Sequence, residues 1–280
     1  MLIDGKEIAA RLIAELKTKL AAHPIEKFVG AVLVGDNAAS LNFLKQKEKV
    51  AKELGIDFRL YRYDADITTD KLREEIGRLA RVSHCGGFIV QLPLPESVNR
   101  HYALNAIPKE KDVDCLSESA LGAFYTSRGK IAPPAVGTVE AILTLRLAQG
   151  QSLRDLTAVV IGTGFLIGKP VGFWLQNRVG ELKVLDSKVK NLHAELADAD
   201  IIVSGAGQAG LFGAKHLKED ALVIDFGYSK TGGKITGDFD SSSLLTTPYS
   251  LLAISYTPTP GGTGPILVAK LYQNFYQLNS

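Results

Sequence analysis

Cysteine is scarce: Cys85 and Cys115 are the two in 280 residues, and neither stands in a Cys-x-x-Cys pair. Isolated thiols argue against a zinc ribbon, a dithiol redox centre or a disulfide framework, so no metal is expected and a reducing compartment is. A charge excess is missing too. Thirty-two basic residues face 30 acidic ones for a net charge of +2, which gives no electrostatic footprint for nucleic acid. Also absent is any apolar run approaching the ~18–20 residues that cross a bilayer. Residues 1–20 interleave Asp4, Glu7 and Glu15 with Lys6, Arg11 and Lys17, which leaves no signal-peptide core. There is no internal repeat or low-complexity tract. The expectation is a soluble, cytoplasmic protein with neither membrane nor nucleic-acid partners. What the chain does have is apolar residues, 46% of the total, enough for two modest packed domains.

Their spacing alternates between two periods. Asp4 and Glu7 form a capping-box-like pair ahead of Ile8, Leu12, Leu16 and Leu20, one residue per helical turn. A strand over 29–34 stops at Gly35, a helix over 40–54 closes at Gly55, and a strand over 58–63 precedes a helix over 69–80. The run Phe88-Ile89-Val90 then ends in Gln91-Leu92-Pro93-Leu94-Pro95. The second half restarts with a helix over 138–148 ending at Gly150, then strands at 158–161, 182–185, 201–203 and 221–224. A glycine-proline segment, 258–265, leads into a closing helix, 266–277. Strands alternating with helices of this length predict an α/β fold of two domains, each a mostly parallel sheet with flanking helices.

Gly162-Thr163-Gly164-Phe165-Leu166-Ile167-Gly168 lies between a buried strand and a helix. There, glycines let backbone approach a pyrophosphate at a helix N-terminus. The spacing is one residue longer than the usual dinucleotide fingerprint, and a ligand-free glycine turn is the competing reading. Asp186 follows the next strand, where an acid can accept a ribose hydroxyl and repel a 2′-phosphate, while Lys188 nearby offers that phosphate a cation. NAD and NADP both stand.

The helix over 40–54 holds an anomaly. Phe43, Leu44, Val50, Ala51 and Leu54 share one apolar arc; Lys45, Lys49 and Lys52 take the opposite side, but Lys47 falls within the arc. Either its stem packs and its amine escapes to water, or burial disfavours its charged form and suits it to proton exchange near neutral pH. Gln91, at a strand's carboxyl end, could orient such an amine without adding charge; capping that strand is its plainer role. Asp114, in Lys111-Asp112-Val113-Asp114, reads equally well as an exposed loop acid.

Together these segments resemble the bifunctional methylenetetrahydrofolate dehydrogenase/cyclohydrolase family, nearly end to end. The resemblance is carried by Asp4-Gly5-Lys6, Val34-Gly35-Asp36-Asn37 with Ala39-Ser40, Val90 to Pro95, Lys111 to Asp114, the 162–170 loop, and Pro260-Gly261-Gly262-Thr263-Gly264-Pro265. It implies a folate-binding catalytic domain of 1–122 plus 257–280, a Rossmann-like NAD(P) domain of 123–256, and a homodimer. It implies oxidation of 5,10-methylenetetrahydrofolate with NADP or NAD, then hydrolysis of the methenyl product to 10-formyltetrahydrofolate. Lys47 matches the family's catalytic lysine, Gln91 the glutamine that tunes it, and Asp114 the acid on the pterin's amino-pyrimidine edge. Phe43, Leu92, Pro93, Pro260, Gly261 and Gly262 would complete the substrate pocket. Gly162 to Gly168, with Asp186 and Ser187, would hold the cofactor.

This member is divergent. Phe43 stands where a tyrosine is usual, Gly164 for a serine, Thr163 for a basic residue and Leu267 for a threonine; Pro133-Pro134-Ala135-Val136 replaces Pro-Cys-Thr-Pro. Phe43 can stack on a ring but cannot hydrogen-bond. Three readings follow: a bifunctional enzyme, a dehydrogenase with impaired hydrolysis, or a non-catalytic folate- or nucleotide-binding paralogue. A dehydrogenase of similar architecture acting on a small hydroxy acid would lack the glutamine-proline and glycine-proline segments.

Overall fold

Strand and helix alternate to build two parallel sheets in the computed structural model, which describes residues 1–147, 151–231, 233–245 and 253–280. In chain order the elements are α1 (Gly5–Ala22), β1 (Phe28–Val34), α2 (Ala38–Glu53), β2 (Phe58–Tyr63), α3 (Thr69–Ala80), β3 (Cys85–Val90), α4 (Arg100–Leu104), α5 (Glu118–Tyr125) and α6 (Pro134–Leu147). There follow β4 (Thr157–Ile161), α7 (Gly168–Leu175), β5 (Glu181–Leu185), α8 (Leu192–Leu196), β6 (Ile201–Ser204), β7 (Phe212–Gly213) and β8 (Leu222–Asp225). The last are β9 (Ser229–Thr231), β10 (Lys234–Thr236), β11 (Phe239–Asp240), β12 (Ser255–Tyr256) and α9 (Thr263–Asn279). The helix end expected at Gly150 lies outside the described residues.

The chain divides into two compact units, neither continuous in sequence. An N-terminal unit comprises Ala10–Pro134 with Val268–Ser280, and a central unit comprises Met1–Ala9 with Ala135–Leu267. These divisions differ from the domain boundaries expected after residues 122 and 256. Within the central unit, Leu2 bridges Tyr256 in parallel and the Ile3 N–H donates to the Tyr256 carbonyl at 2.8 Å, which ties the first residues there.

In the N-terminal unit the sheet order is β2-β1-β3, with both pairings parallel. All seven residues of β1 are buried, as a central strand covered on both faces requires, so it reads as an unbroken apolar run. Two side chains cap helices that follow strands: Asn37 accepts from the Ser40 N–H to start α2, and Thr68 from the Lys71 N–H to start α3. At α1, Asp4 accepts the Lys6 N–H at 2.8 Å. The buried stripe of α1 runs Ile8, Ala9, Ile13, Leu16, while Leu12 and Leu20 stay half-buried. A strict every-fourth reading drifts off a helix of 3.6 residues per turn, and Ile13 takes the place inferred for Leu12.

In the central unit five parallel strands lie in the order β12-β8-β6-β4-β5. Val159, Ile161, Ile202, Val223, Phe212 and Phe239 are buried in one core. From β4 the chain winds outward to β5 and then returns to β6 on the other side. The order therefore reverses between β4 and β6, and ligands of such sheets collect at the carboxyl ends of the strands beside that reversal. The β9–β10 hairpin and the short β7–β11 pair were not evident from periodicity.

Candidate functional site

The amine expected to be anomalous is buried. Lys47 is 4% exposed, which rules out the snorkelling alternative, and α2 carries it between the buried Leu44 and Ala51. Its Nζ donates to Gln91 Oε1 at 3.2 Å and to Asp114 Oδ2 at 3.4 Å. It also lies 5.2 Å from the centre of the Phe43 ring, within cation–π range. Gln91 follows β3 directly, and its Nε2 donates to the Leu92 carbonyl at 2.7 Å. That second bond fixes which end of the amide faces the lysine. The Leu92 carbonyl also accepts from Ser40 Oγ at 3.3 Å, and the Leu92–Pro93 peptide is cis. Phe43, Lys47, Gln91, Leu92 and Asp114 thus converge in the N-terminal unit, the first four on the carboxyl side of the β1–β3 ladder.

Asp114 is held by a turn whose keystone is another acid. Asp112 is fully buried, and its Oδ2 accepts the N–H groups of Leu116 at 2.9 Å and Ser117 at 2.7 Å. Its Oδ1 has no hydrogen-bond partner among the described residues, and burial pushes the carboxyl up to about 6 despite those donors. Between the two acids and Ser117, Cys115 adopts a φ of 55° and donates its N–H to the Asp112 carbonyl at 3.0 Å. Burial also raises the Cys115 thiol well above the usual range, because desolvation disfavours the thiolate.

The closing helix braces both sides. Tyr272 donates its hydroxyl to the Lys47 carbonyl at 2.7 Å, and Asn274 Nδ2 donates to the carbonyls of Val113 (2.9 Å) and Ala132 (2.8 Å). Asp112, Tyr272 and Asn274 escaped the sequence reading. A tyrosine and an asparagine on an apolar helical face look like core and its polar margin. Only the oddity of an amide there could have flagged Asn274.

Pro260, Gly261 and Gly262 belong to the central unit. There the Gly262 N–H donates to the Pro258 carbonyl at 2.8 Å, and Thr263 Oγ1 donates to the Asp225 carbonyl at 3.0 Å. The glycine loop also lies in this unit, at the carboxyl end of β4. Gly162 has a φ of 98°, open to glycine, and a Cβ on Gly168 would overlap the Gly162 carbonyl. The loop is therefore folded back on itself as α7 begins, with Thr163, Gly164 and Leu166 exposed and Phe165 and Ile167 half-buried. Gly205, after β6, packs against Ile167 so tightly that a Cβ would meet that side chain at 2.9 Å. Asp186 and Ser187 follow β5 in the open, and Asp186 Oδ1 accepts the Lys188 N–H at 2.8 Å. A glycine cradle at a helix start, beside the reversal of strand order, fits the pyrophosphate of a dinucleotide. Among the described residues no cluster of His, Cys, Asp and Glu could hold a metal, and no helix is long and apolar enough to cross a membrane.

The chain resembles known proteins along nearly its whole length. Residues 3–114 match the family model for the tetrahydrofolate dehydrogenase/cyclohydrolase catalytic domain, and residues 136–280 that for its NAD(P)-binding domain. A bifunctional protein FolD 1 of Acinetobacter baylyi is 34% identical over 99% of this chain and 93% of its own length. The bifunctional FolD methylenetetrahydrofolate dehydrogenase/cyclohydrolase of Campylobacter jejuni superposes with a TM-score of 0.89 at 32% identity, covering 100% of this chain and 98% of that one. The Trypanosoma brucei enzyme, solved with NADP and an inhibitor, gives 0.89 at 28% identity over 99% and 96% of the two chains. With family models matching both halves and a relative 34% identical along nearly all of its length, the chain belongs to the tetrahydrofolate dehydrogenase/cyclohydrolase family.

Proposed function

We propose that the chain oxidises 5,10-methylenetetrahydrofolate to the methenyl compound with NADP or NAD, and hydrolyses that product to 10-formyltetrahydrofolate. The observation that carries this reading is the buried Lys47 amine shared between Gln91 Oε1 and Asp114 Oδ2. A lysine so enclosed is costly unless it is used.

The N-terminal unit holds the folate. Asp114 accepts the two N–H donors of the pterin's amino-pyrimidine edge, a bidentate pattern that a carboxylate matches, and this draws it away from Lys47. Phe43, with Leu92 and Pro93, lies against the ring system. Lys47, steered by the pinned Gln91 amide, then moves the proton as water adds to the methenyl carbon and the ring nitrogen is released. In the central unit Gly162, Thr163, Gly164, Phe165, Leu166, Ile167 and Gly168 hold the pyrophosphate, while Asp186 and Ser187 meet the adenosine ribose. When bound, the nicotinamide supplies the hydride acceptor. The protein works as a cytoplasmic homodimer.

A second reading keeps the oxidation and loses efficient hydrolysis. It is favoured by the Phe43 ring over the Lys47 amine, where a hydroxyl would otherwise be available to hydrogen-bond. One assay separates the two. Methylenetetrahydrofolate is supplied with NAD or NADP in turn, and reduced cofactor is followed separately from methenyl absorbance. Formation of both reduced cofactor and 10-formyltetrahydrofolate supports the first reading, and accumulation of the methenyl compound the second. Folate binding with no turnover by either cofactor overturns both.

A further inference from the structure

We propose that Asp238 is a positioning residue for the dinucleotide, because its carboxylate sets the shape of the 205–208 turn at the reversal of strand order in the central unit. Asp238 is fully buried. Its Oδ2 accepts Ser204 Oγ at 2.6 Å, the Ala206 N–H at 2.8 Å and the Gly207 N–H at 3.3 Å; its Oδ1 accepts the Gln208 N–H at 2.8 Å. One side chain, 30 residues or more downstream of the turn, thus collects three successive backbone amides and the last side chain of β6.

Two features extend this from a loop brace to the ligand. First, the turn touches the glycine cradle directly: a Cβ on Gly162 would meet the Gly205 carbonyl at 3.0 Å, and Gly205 abuts Ile167. A shift of the turn therefore moves the floor on which the 162–168 loop rests. Second, successive amides in a turn ordinarily form a nest that attracts an anion. Here the nest is filled by the protein's own carboxylate, so the turn has no amides left for phosphate, and the pyrophosphate is confined to the 162–168 side. Asp238 is itself anchored from the far side: Asp225 accepts the Gly227 N–H at 2.6 Å and the Phe239 N–H at 3.0 Å, and a Cβ on Gly227 would run into the Asp238 carboxylate.

The role rests on the dinucleotide reading of the glycine loop, and the test separates the two. Binding of NADP and of NAD is measured by calorimetry on the whole chain, the Asp238→Asn variant and the Ser204→Ala variant. Folate affinity without dinucleotide and the thermal midpoint are measured alongside. Asp238→Asn sets an NH2 against a backbone amide and is expected to weaken dinucleotide binding by about tenfold or more, and Ser204→Ala by roughly twofold to fivefold. Folate affinity, which depends on the other unit, stays within about twofold in both. Unchanged dinucleotide affinity in both variants overturns the proposal, as does a parallel fall in folate affinity, which would mark a purely structural residue. Should Asp238→Asn fail to fold, Ser204→Ala decides the matter by the same criteria. Failure of the unaltered chain to bind either dinucleotide would remove the cofactor reading and this role with it.

Discussion

Tyr272 donates its phenolic hydroxyl to the main-chain carbonyl of Lys47 at 2.7 Å, with both residues in the core of the N-terminal unit. The bond fixes the turn of α2 from which the amine projects, and it comes from a helix 225 residues away in sequence. Replacing Tyr272 by phenylalanine keeps the packing and removes only this bond. Because the Lys47 carbonyl also lies inside a helix with its own ladder, the cost to stability is about 1 kcal/mol. Hydrolysis of the methenyl compound should slow by roughly threefold to tenfold while folate affinity holds, since a small misplacement of a proton-transferring group is expensive. A rate equal to that of the parent chain would show that the backbone of α2 needs no such anchor.

Lys47→Met removes the amine and keeps a flexible apolar chain of similar length. Hydrolysis should fall by about a thousandfold, within the range expected of a lost acid–base group, with folate binding largely intact. Gln91→Glu offers a subtler comparison. It replaces the Nε2 donor that Leu92 accepts with a second anion beside the amine, so the lysine is trapped in an ion pair and hydrolysis again fails. Single-turnover assays on both variants check this, and normal hydrolysis by Lys47→Met would remove the lysine from the chemistry.

Phe43→Tyr adds back a hydroxyl on a ring 5.2 Å from Lys47 Nζ. If the missing group limits the second step, hydrolysis should rise by roughly threefold or more, with methylenetetrahydrofolate oxidation little changed. An absence of gain would move suspicion to the altered glycine loop, where Thr163 and Gly164 lack the polar reach of their usual counterparts.

The pH dependence of stability has opposite signs at different acids. Burial raises Asp112 from 3.8 to about 6, and Asp225 likewise. The folded chain holds those protons more tightly than the unfolded chain, so these two groups lower stability as pH rises from about 4 to 6, and their effect is constant above. Glu75, hydrogen-bonded by Arg78 and Tyr63, is held down at about 2; its contribution is present above about 4.5 and is lost as pH falls below it. Asp112→Asn should therefore flatten the thermal-midpoint profile between pH 4 and 6. At pH 8 it should cost little or even stabilise, with ~3 kcal/mol as the upper bound. Parallel profiles for parent and variant would show that Asp112 does not titrate in this window.

Much of this was written in the order of residues. The helix at Thr69–Ala80 and the strand at Phe58–Tyr63 coincide with their expected ranges; in the helix the Thr68 cap and the buried face of Leu72, Ile76 and Leu79 agree with the local period. Lys47 stood out for the same reason: a charge inside an apolar arc conflicts with its own helix. Asp112, Tyr272 and Asp238 were silent because most of their partners are backbone groups, and a backbone carbonyl or amide has no letter in the sequence. The turn at 205–208 was similarly hidden. Gly205-Ala206-Gly207 follows β6 much as Gly162-Thr163-Gly164 follows β4, but what shapes it is a carboxylate 30 residues beyond.

The N-terminal unit is completed by Val268–Ser280, and this orders events at the ribosome. Val268, Ala269, Leu271, Tyr272 and Phe275, all at most 2% exposed, are translated after the last residue of the central unit. Until then the N-terminal unit has an unfilled apolar surface, a feature that makes partly synthesised chains prone to associate. A polypeptide cut short after Leu267 would keep every residue of the central unit while its lysine lost its brace. In this architecture the brace on the Lys47 turn is made only after the last residue of the central unit.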